Sequence, residues 1–387
     1  MKILIVSHEY PPIGGGGANA CFYLSKSLVN NGHTVTVLTT GFEELVGEMN
    51  ENGVNVIRLN TRRKSKTSSS FVEMFSYLKK AMKVAEVLHK KNHYDICQVF
   101  FGIPAGPIGL HLKRKFNLPY VVRMGGGDVP GFQKRFKYIY KLTNPFLRKI
   151  WKNANSLIAN SEGLKRLALD FDRKSQIAVV HNGVNIHEFT PKHKENDEEI
   201  NILFVSRLIE RKGLQHIIPL LPEIKEKSNK KVVLTVVGGG PYCDYLIQLC
   251  KEYNVVDLVN FEGHKNHDQL LQYYQNADLF VLPSSKEGMP NVVLEAMSCG
   301  LPILMTKCEG SKELIQDNGF IINPSLKEQT VKNFTELIND KELRIKLGLN
   351  SRKLIENAYS LEKVVQSYES IYNRVMEVEE NESTVTH

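Results

Sequence analysis

Short β-type apolar runs alternate with helical stretches along almost the whole chain, and that rhythm leaves few folds open. In the first half the runs are residues 2–6, 34–39, 54–59, 95–100, 120–124, 156–159 and 177–180; in the second, 201–205, 232–237, 258–262, 279–282, 303–306 and 320–322. Runs this short and this apolar read as strands buried on both faces, with helices as the crossovers of a parallel sheet. The class is α/β, and the two stretches of alternation imply two doubly wound sheets. A length of 387 residues suits two domains. The polar, charged stretch T-P-K-H-K-E-N-D-E-E at 190–199 reads as the linker, with the boundary at 186–198. After Pro324 the pattern is helical to about Glu380, and N-E-S-T-V-T-H reads as a frayed tail.

Composition narrows the functional classes. Six cysteines, with no C-x-x-C pair, read as reduced thiols of a cytoplasmic protein rather than as disulfides or a metal site. The apolar run at the N-terminus is too short for a signal peptide, and none reaches the roughly 18 residues of a membrane span. The net charge of +8 conceals an asymmetry: residues 1–190 hold 27 Lys and Arg against 13 Asp and Glu. A basic half could meet nucleic acid, an anionic membrane or a phosphorylated substrate, and charge alone does not choose. Within it, R-R-K-S-K at 62–66 precedes an amphipathic run, and residues 134–153 interleave aromatics with cations, including Arg135, Lys137 and Lys141. Together they suggest peripheral contact with an anionic membrane leaflet. Nucleic acid is the weaker reading, because no nucleic-acid module is recognisable.

The most informative stretch is E-G-M-P-N-V-V-L-E, from Glu287 to Glu295. It lies between a strand and a helix, so the helix start aims the N–H groups of Met289, Asn291 and Val292 beyond the strand end, where phosphate or sugar hydroxyls would be held. Glu287 in the loop and Glu295 on the helix could each grip a vicinal diol. Beyond another strand, S-R-L-I-E-R-K-G places Arg207 and Lys212 where they could neutralise a diphosphate; a solvated helix entry is the bland alternative. V-V-G-G-G-P at 236–241 is a tight glycine turn that structure explains as well as a ligand does.

Gly14 to Gly17 follow the first strand, and Gly15, Gly17 and Ala20 formally satisfy G-x-G-x-x-A. The glycines stand too far beyond the strand for a dinucleotide site, and the second strand ends V-L-T-T with no acidic residue for a ribose. A hinge-like turn and a close backbone approach to a phosphate or sugar stay open. Asp170 and Asp172 form a D-x-D, but two carboxylates in a loop are a poor metal site. His8, His33, His181 and His264 lack metal-ligand spacing and read as packed side chains. No G-x-S-x-G, Walker loop or H-E-x-x-H supports a hydrolase, ATPase or zinc protease.

Taken together the motifs resemble the retaining nucleotide-sugar glycosyltransferases of family 4: P-P-I-G-G-G-G-A, L-V-N-N-G-H-T-V-T-V-L-T, I-A-N-S-E-G-L, V-V-H-N-G-V-N-I-H-E-F-T-P, S-R-L-I-E-R-K-G, V-G-G-G-P and the two glutamates, in that order. The resemblance implies a GT-B fold: two facing Rossmann-like domains with an interdomain cleft. The acceptor side would be residues 1–186 and the donor side 198–360, with a C-terminal helix at 361–380 packing back on the first domain. It implies that Arg207 and Lys212 bind the donor diphosphate, Glu295 the ribose and Glu287 the transferred sugar. Gly288, Met289, Pro290, Asn291 and Val292 would close over sugar and phosphate, joined by Gly16, Gly17 and Gly239. Glu287, Arg207, Lys212 and Asp128 are the implied catalytic set.

No metal or cofactor is implied beyond the donor itself. The cations and helix start would stabilise the departing diphosphate, which in the family takes the acceptor's proton on the same face. The implied activity is transfer of a hexosyl unit from a nucleoside diphosphate sugar to a glycan or lipid-linked acceptor, with retention. A catalytically silent nucleotide-sugar binding or scaffold protein of the same fold is the alternative, motivated by a lost histidine although both glutamates and the basic pair are kept. An epimerase or phosphorylase would share the fold but has no motif of its own here. R-M-G-G-G-D at 123–128 puts Gly125 where the family commonly has a histidine, leaving Arg123 or a backbone carbonyl as the replacement. Gln98 and Phe100 stand where D-x-x-H-x-H is common, and His181 and Asn185 replace a Pro and an Asp. Such changes point to altered substrate choice rather than altered fold.

Overall fold

The computed structural model describes residues 1–66, 69–132, 137–192 and 197–385. The chain divides into two units, Met1–Asn182 with Leu361–His387, and Gly183–Ser360.

The first unit is built on an eight-stranded sheet. Its elements are β1 (Lys2–Val6), α1 (Gly16–Asn30), β2 (Thr34–Thr40), β3 (Gly47–Glu51), β4 (Val54–Leu59), α2 (Phe71–Asn92), β5 (Ile96–Phe100), α3 (Gly106–Phe116), β6 (Tyr120–Arg123), α4 (Lys137–Asn153), β7 (Ser156–Ala159), α5 (Glu162–Phe171) and β8 (Ile177–Val179). The order across the sheet is β3-β4-β2-β1-β5-β6-β7-β8, parallel except for β3. Apolar side chains fill both faces. One face packs on Tyr77 and Ala81 of α2, Ile108 of α3, Ile150 of α4 and Leu164 of α5; the other packs on Leu24 and Leu28 of α1 and on Tyr368 and Tyr372 of the C-terminal helix, Leu361–Val385. A capping box starts α2: Ser70 Oγ accepts from Glu73 N, and Glu73 Oε2 accepts from Ser70 N at 2.6 Å. The sequence reading misses β3, a polar G-E-M-N-E edge strand with no apolar alternation.

The C-terminal helix continues through Val385, where a frayed tail was expected. Tyr372 Oη donates to Gln98 Oε1 at 2.8 Å, and Asn155 Nδ2 donates to Glu379. This corrects the reading of Gln98 and Phe100 as substrate-choice positions, because both are fully buried within the unit. Gln98 anchors the last helix. The Phe100 ring lies 5.0 Å under the Arg123 guanidinium.

The second unit carries β9 (Glu199–Val205), α6 (Leu221–Lys227), β10 (Lys231–Val237), α7 (Cys243–Glu252), β11 (Val259–Gly263), α8 (His267–Gln275), β12 (Leu279–Leu282), α9 (Asn291–Ser298), β13 (Ile303–Thr306), α10 (Ser311–Leu314), β14 (Gly319–Ile322), α11 (Lys327–Asn339) and α12 (Lys341–Leu354). Its six strands are ordered β11-β10-β9-β12-β13-β14, all parallel. The unit begins at Gly183, earlier than the charged stretch suggests, because Val184 N bonds Tyr359 O at 3.0 Å and Phe189 is buried in the second core. Nor is all of that stretch free in solvent: Asp197 pairs with Arg344 and Lys230. Burial raises its carboxyl pKa, but these cations outweigh burial and hold it below the usual carboxylate range.

Candidate functional site

In an open parallel sheet, ligands are held beyond the carboxyl ends of the strands where the strand order reverses. In the second unit that point lies between β9 and β12, since β9 leads outward to β10 on one side and adjoins β12 on the other. The loops leaving these two strands contain Arg207 to Lys212 and Glu287 to Pro290. They are locked together through backbone: Ser285 N donates to Arg211 O at 3.0 Å, and a Cβ on Gly213 would stand 1.9 Å from Pro283 O. Gly213 has φ +79, which favours glycine.

Glu287 is the electrostatic centre of this arrangement. Its Oε1 lies 2.6 Å from Lys212 Nζ, accepts from Ser284 Oγ at 2.6 Å and is 3.9 Å from Arg211 Nη1. Burial raises the pKa of this carboxyl, but Lys212 and Arg211 with the two hydrogen bonds hold it below its ordinary value, so it is ionised at neutral pH. Ser284 and Arg211 were not singled out from sequence, because nothing in S-S-K or E-R-K marks which side chain turns inward. On its other side the loop is braced by the turn after β13. Lys286 Nζ is 2.7 Å from Glu309, and a Cβ on Gly310 would stand 2.1 Å from Gly288 O. Pro290 then caps α9 without a side-chain hydrogen bond to the helix, Met289 is buried, and Asn291 and Val292 are half-buried.

Glu295 sits on the second turn of α9 and is only 4% exposed. Tyr274 Oη donates to its Oε2 at 2.7 Å, and His267 Nε2 is 3.3 Å from its Oε1. His267 Nδ1 is in turn 3.6 Å from Glu188. Burial alone would lower the His267 pKa, but the two carboxylates lift it to about 10. Glu295 thus has, among the described residues, one side-chain partner on each oxygen, and each oxygen keeps a further lone pair. Tyr274, His267 and Glu188 escape the sequence reading because they come from α8 and from residues before β9, far from the E-G-M-P-N segment.

Arg207 is exposed in the loop after β9. The glycines at 238–240 divide by role. A Cβ would stand 1.8 Å from Ser206 O at Gly238 and 2.3 Å from Leu208 O at Gly240, whereas at Gly239 it would meet, among the described residues, only His264 Cβ at 3.7 Å. The outer two let adjacent loops touch, and Gly239 is the open one.

In the first unit Asp128 is buried, and its carboxylate accepts from Gly102 N at 2.7 Å and Gly125 N at 2.8 Å. Burial raises its pKa against these bonds. It ties together the loops after β5 and β6. Gly16 is the first residue of α1, and a Cβ on Gly17 would stand 2.4 Å from Phe101 Cζ. Arg123, considered as a replacement for the absent histidine, is instead buried and donates to Asn182 Oδ1. Asp170 lies on α5 and Asp172 caps it beside Arg148 at 3.4 Å; no cluster of three metal-ligating side chains occurs among the described residues. Arg135 lies outside the described residues.

Two doubly wound sheets, one with an ionised glutamate, a lysine and an arginine at its switch point, define an α/β protein suited to a phosphorylated, polyhydroxyl ligand. Known proteins make the class particular. The Glycosyltransferase Family 4 model matches residues 14–188, and the Glycosyl transferases group 1 model matches residues 185–354. An uncharacterised glycosyltransferase of Methanocaldococcus jannaschii is 30% identical over 98% of this chain and 99% of its own. Sucrose-phosphate synthase from Thermosynechococcus elongatus superposes with a TM-score of 0.84 at 21% identity, covering 98% of this chain and all of that one. The Anabaena protein HepE in complex with UDP-glucose gives 0.75 at 18% identity, over 97% of this chain and all of its own. The chain belongs to the family 4 glycosyltransferases, retaining enzymes that take sugars from nucleotide donors, and it has the GT-B fold.

Proposed function

We propose that this glycosyltransferase moves a hexosyl unit from a nucleoside diphosphate hexose, with UDP as the first base to try, onto a glycan or lipid-linked acceptor, and does so without a metal ion. The observation that carries the donor reading is the Glu287, Lys212 and Arg211 cluster at the switch point of the second sheet. An ionised glutamate there can accept hydroxyl hydrogen bonds from the transferred sugar, while Arg207, Lys212 and the first turn of α9 face the charge that grows on the leaving diphosphate. These are the positive groups that another enzyme would obtain from a divalent cation. Glu295 is assigned to the ribose and Gly239 to the phosphate edge. UDP-glucose in the HepE complex supports the choice of base.

The acceptor reading rests on the first unit. Phe71 and Phe75 on α2 are 52% and 67% exposed, and Leu142 on α4 is 83% exposed, in the half of the chain that carries the excess of cations. Apolar side chains among cations fit the surface of an anionic leaflet, where a lipid-linked acceptor would be found. No described helix is long and apolar enough to cross a membrane.

Thermal melts with UDP-, GDP- and ADP-sugars, each with and without EDTA, test the donor. Stabilisation by one nucleotide class, unchanged by EDTA, is expected, followed by sugar release from that donor. No stabilisation by any of them overturns the reading, and stabilisation without turnover on any acceptor would make the chain a silent binder.

A further inference from the structure

The first sheet has its own switch point, between β1 and β5, and rings gather there. His8 follows β1, Phe101 follows β5, Gly125 follows β6, and Gly17 lies in the first turn of α1. The Phe101 ring is held between two glycine backbones: a Cβ on Gly125 would stand 2.2 Å from its Cε1, and one on Gly17 2.4 Å from its Cζ. Neither glycine could carry a side chain unless the ring moved. Phe101 also has φ +70, a left-handed backbone that is uncommon for a bulky residue and is kept only where the surroundings impose it. They do so here: Phe101 N bonds Arg123 O at 2.9 Å, and Asp128 takes both Gly102 N and Gly125 N. The ring stands edge-on to His8 at 5.1 Å, and Phe101 as a residue is only half-buried. The buried His8 Nδ1 has no hydrogen-bond partner among the described residues.

A strained backbone, two glycines that make room and a clamping aspartate are a large investment for a residue that is not fully buried. We propose that Phe101 is a specificity-determining residue, the apolar floor on which the C–H face of an acceptor pyranose lies. This deepens the glycosyltransferase reading and rests on it. Aromatic faces carry negative partial charge and attract the polarised C–H edge of a sugar, while its hydroxyls remain free for polar partners. A polar side chain at position 125 could hydrogen-bond one hydroxyl; the ring that fills that space favours an unbroken C–H face instead.

The test is saturation-transfer NMR on the full chain with UDP present, using methyl α-glycosides of glucose, galactose, mannose and N-acetylglucosamine as probes. At least one glycoside is expected to bind, with its strongest transfer at the C–H face. Phe101→Leu should weaken it about three- to tenfold, the scale of one aromatic stack, and Phe101→Tyr should keep it within about twofold. Gly125→Ala leaves the ring's chemistry intact but pushes it aside, and should weaken the same glycoside. Melting curves show whether each variant is folded, and UDP affinity should be unchanged in all of them. Equal glycoside binding by the parent and Phe101→Leu, or no glycoside bound by a parent that binds UDP, overturns the proposal. A parent that fails to bind UDP but loses its glycoside in Phe101→Leu overturns the donor reading and supports this one.

Discussion

The Lys212 ammonium lies 2.6 Å from Glu287 Oε1, so the loops leaving β9 and β12 are joined by an ion pair where the strand order reverses. Each side chain of the pair is 12% exposed, and partners lost at that depth are not replaced by water. Lys212→Ala is therefore expected to do two things. It should weaken nucleoside diphosphate binding at least about tenfold, as the loss of one charge-assisted contact does, and lower stability by about 1–3 kcal/mol through the stranded glutamate. Isothermal titration with UDP and a urea melt read these separately; parent-like behaviour in both would remove Lys212 from the donor site.

The two glutamates should have separable signatures. Glu287→Gln keeps a hydrogen-bonding oxygen beside Ser284 but loses the charge opposite Lys212, so nucleotide affinity should hold while transfer falls by about tenfold or more. Glu295→Gln should lose UDP affinity as well. If both variants bind free UDP equally, the division between sugar and ribose contacts fails.

His267 gives a pH test. Its folded pKa, about 10, is above the value near 6.5 of an unfolded histidine, so its contribution to stability is complete below pH 6.5 and is lost as pH rises through 10. Urea midpoints at pH 6, 8 and 10 should fall more steeply for the parent than for His267→Gln. A constant difference across that window would mean that His267 carries no extra proton in the folded state.

Much of the fold was legible because its strands are short, apolar and buried on both faces: β12 and β13 coincide with the expected 279–282 and 303–306. The polar β3 was not, since an edge strand is held by its neighbour's backbone rather than by its own side chains. At the site, the spacing of Glu287 and Glu295 was visible, but their partners were not. Ser284, three residues before Glu287, is the local partner that an S-S-K run does not single out. Lys212 reaches Glu287 from the loop after β9, and Tyr274 and His267 reach Glu295 from α8, contacts set by strand order and not by proximity in sequence. The ring of Phe101 was hidden for the same reason. Gly17 and Gly125 are more than 100 residues apart, and only the adjacency of β1, β5 and β6 brings them to one side chain.

The glycines after β10 separate structure from binding. Gly238→Ala places a Cβ 1.8 Å from the Ser206 carbonyl oxygen at φ +142, and should cost at least about 2 kcal/mol in a urea melt. Gly239→Ala meets only His264 Cβ at 3.7 Å and should leave stability within about 0.5 kcal/mol. Its effect should appear in UDP affinity instead. A Gly239→Ala protein that binds UDP like the parent takes that backbone out of the donor site.

The last expectation concerns the exposed rings of the first unit. Phe71, Val72 and Phe75 occupy the first turns of α2, and Lys79, Lys80 and Lys83 follow them on the same helix. Soluble proteins expose single apolar residues freely, but a cluster of them beside cations suits the boundary between lipid headgroups and acyl chains. Each well-placed cation adds about 1 kcal/mol near an anionic leaflet, and that share is screened by salt whereas ring burial is not. Vesicles of phosphatidylglycerol and phosphatidylcholine should therefore sediment the protein at low salt and release most of it at high salt. Phe71→Ser with Phe75→Ser should weaken binding at every salt concentration, while Lys79→Glu with Lys80→Glu should weaken it chiefly at low salt. Binding that neither pair of substitutions changes would place the contact elsewhere, and no binding at low salt would remove the membrane from the acceptor reading.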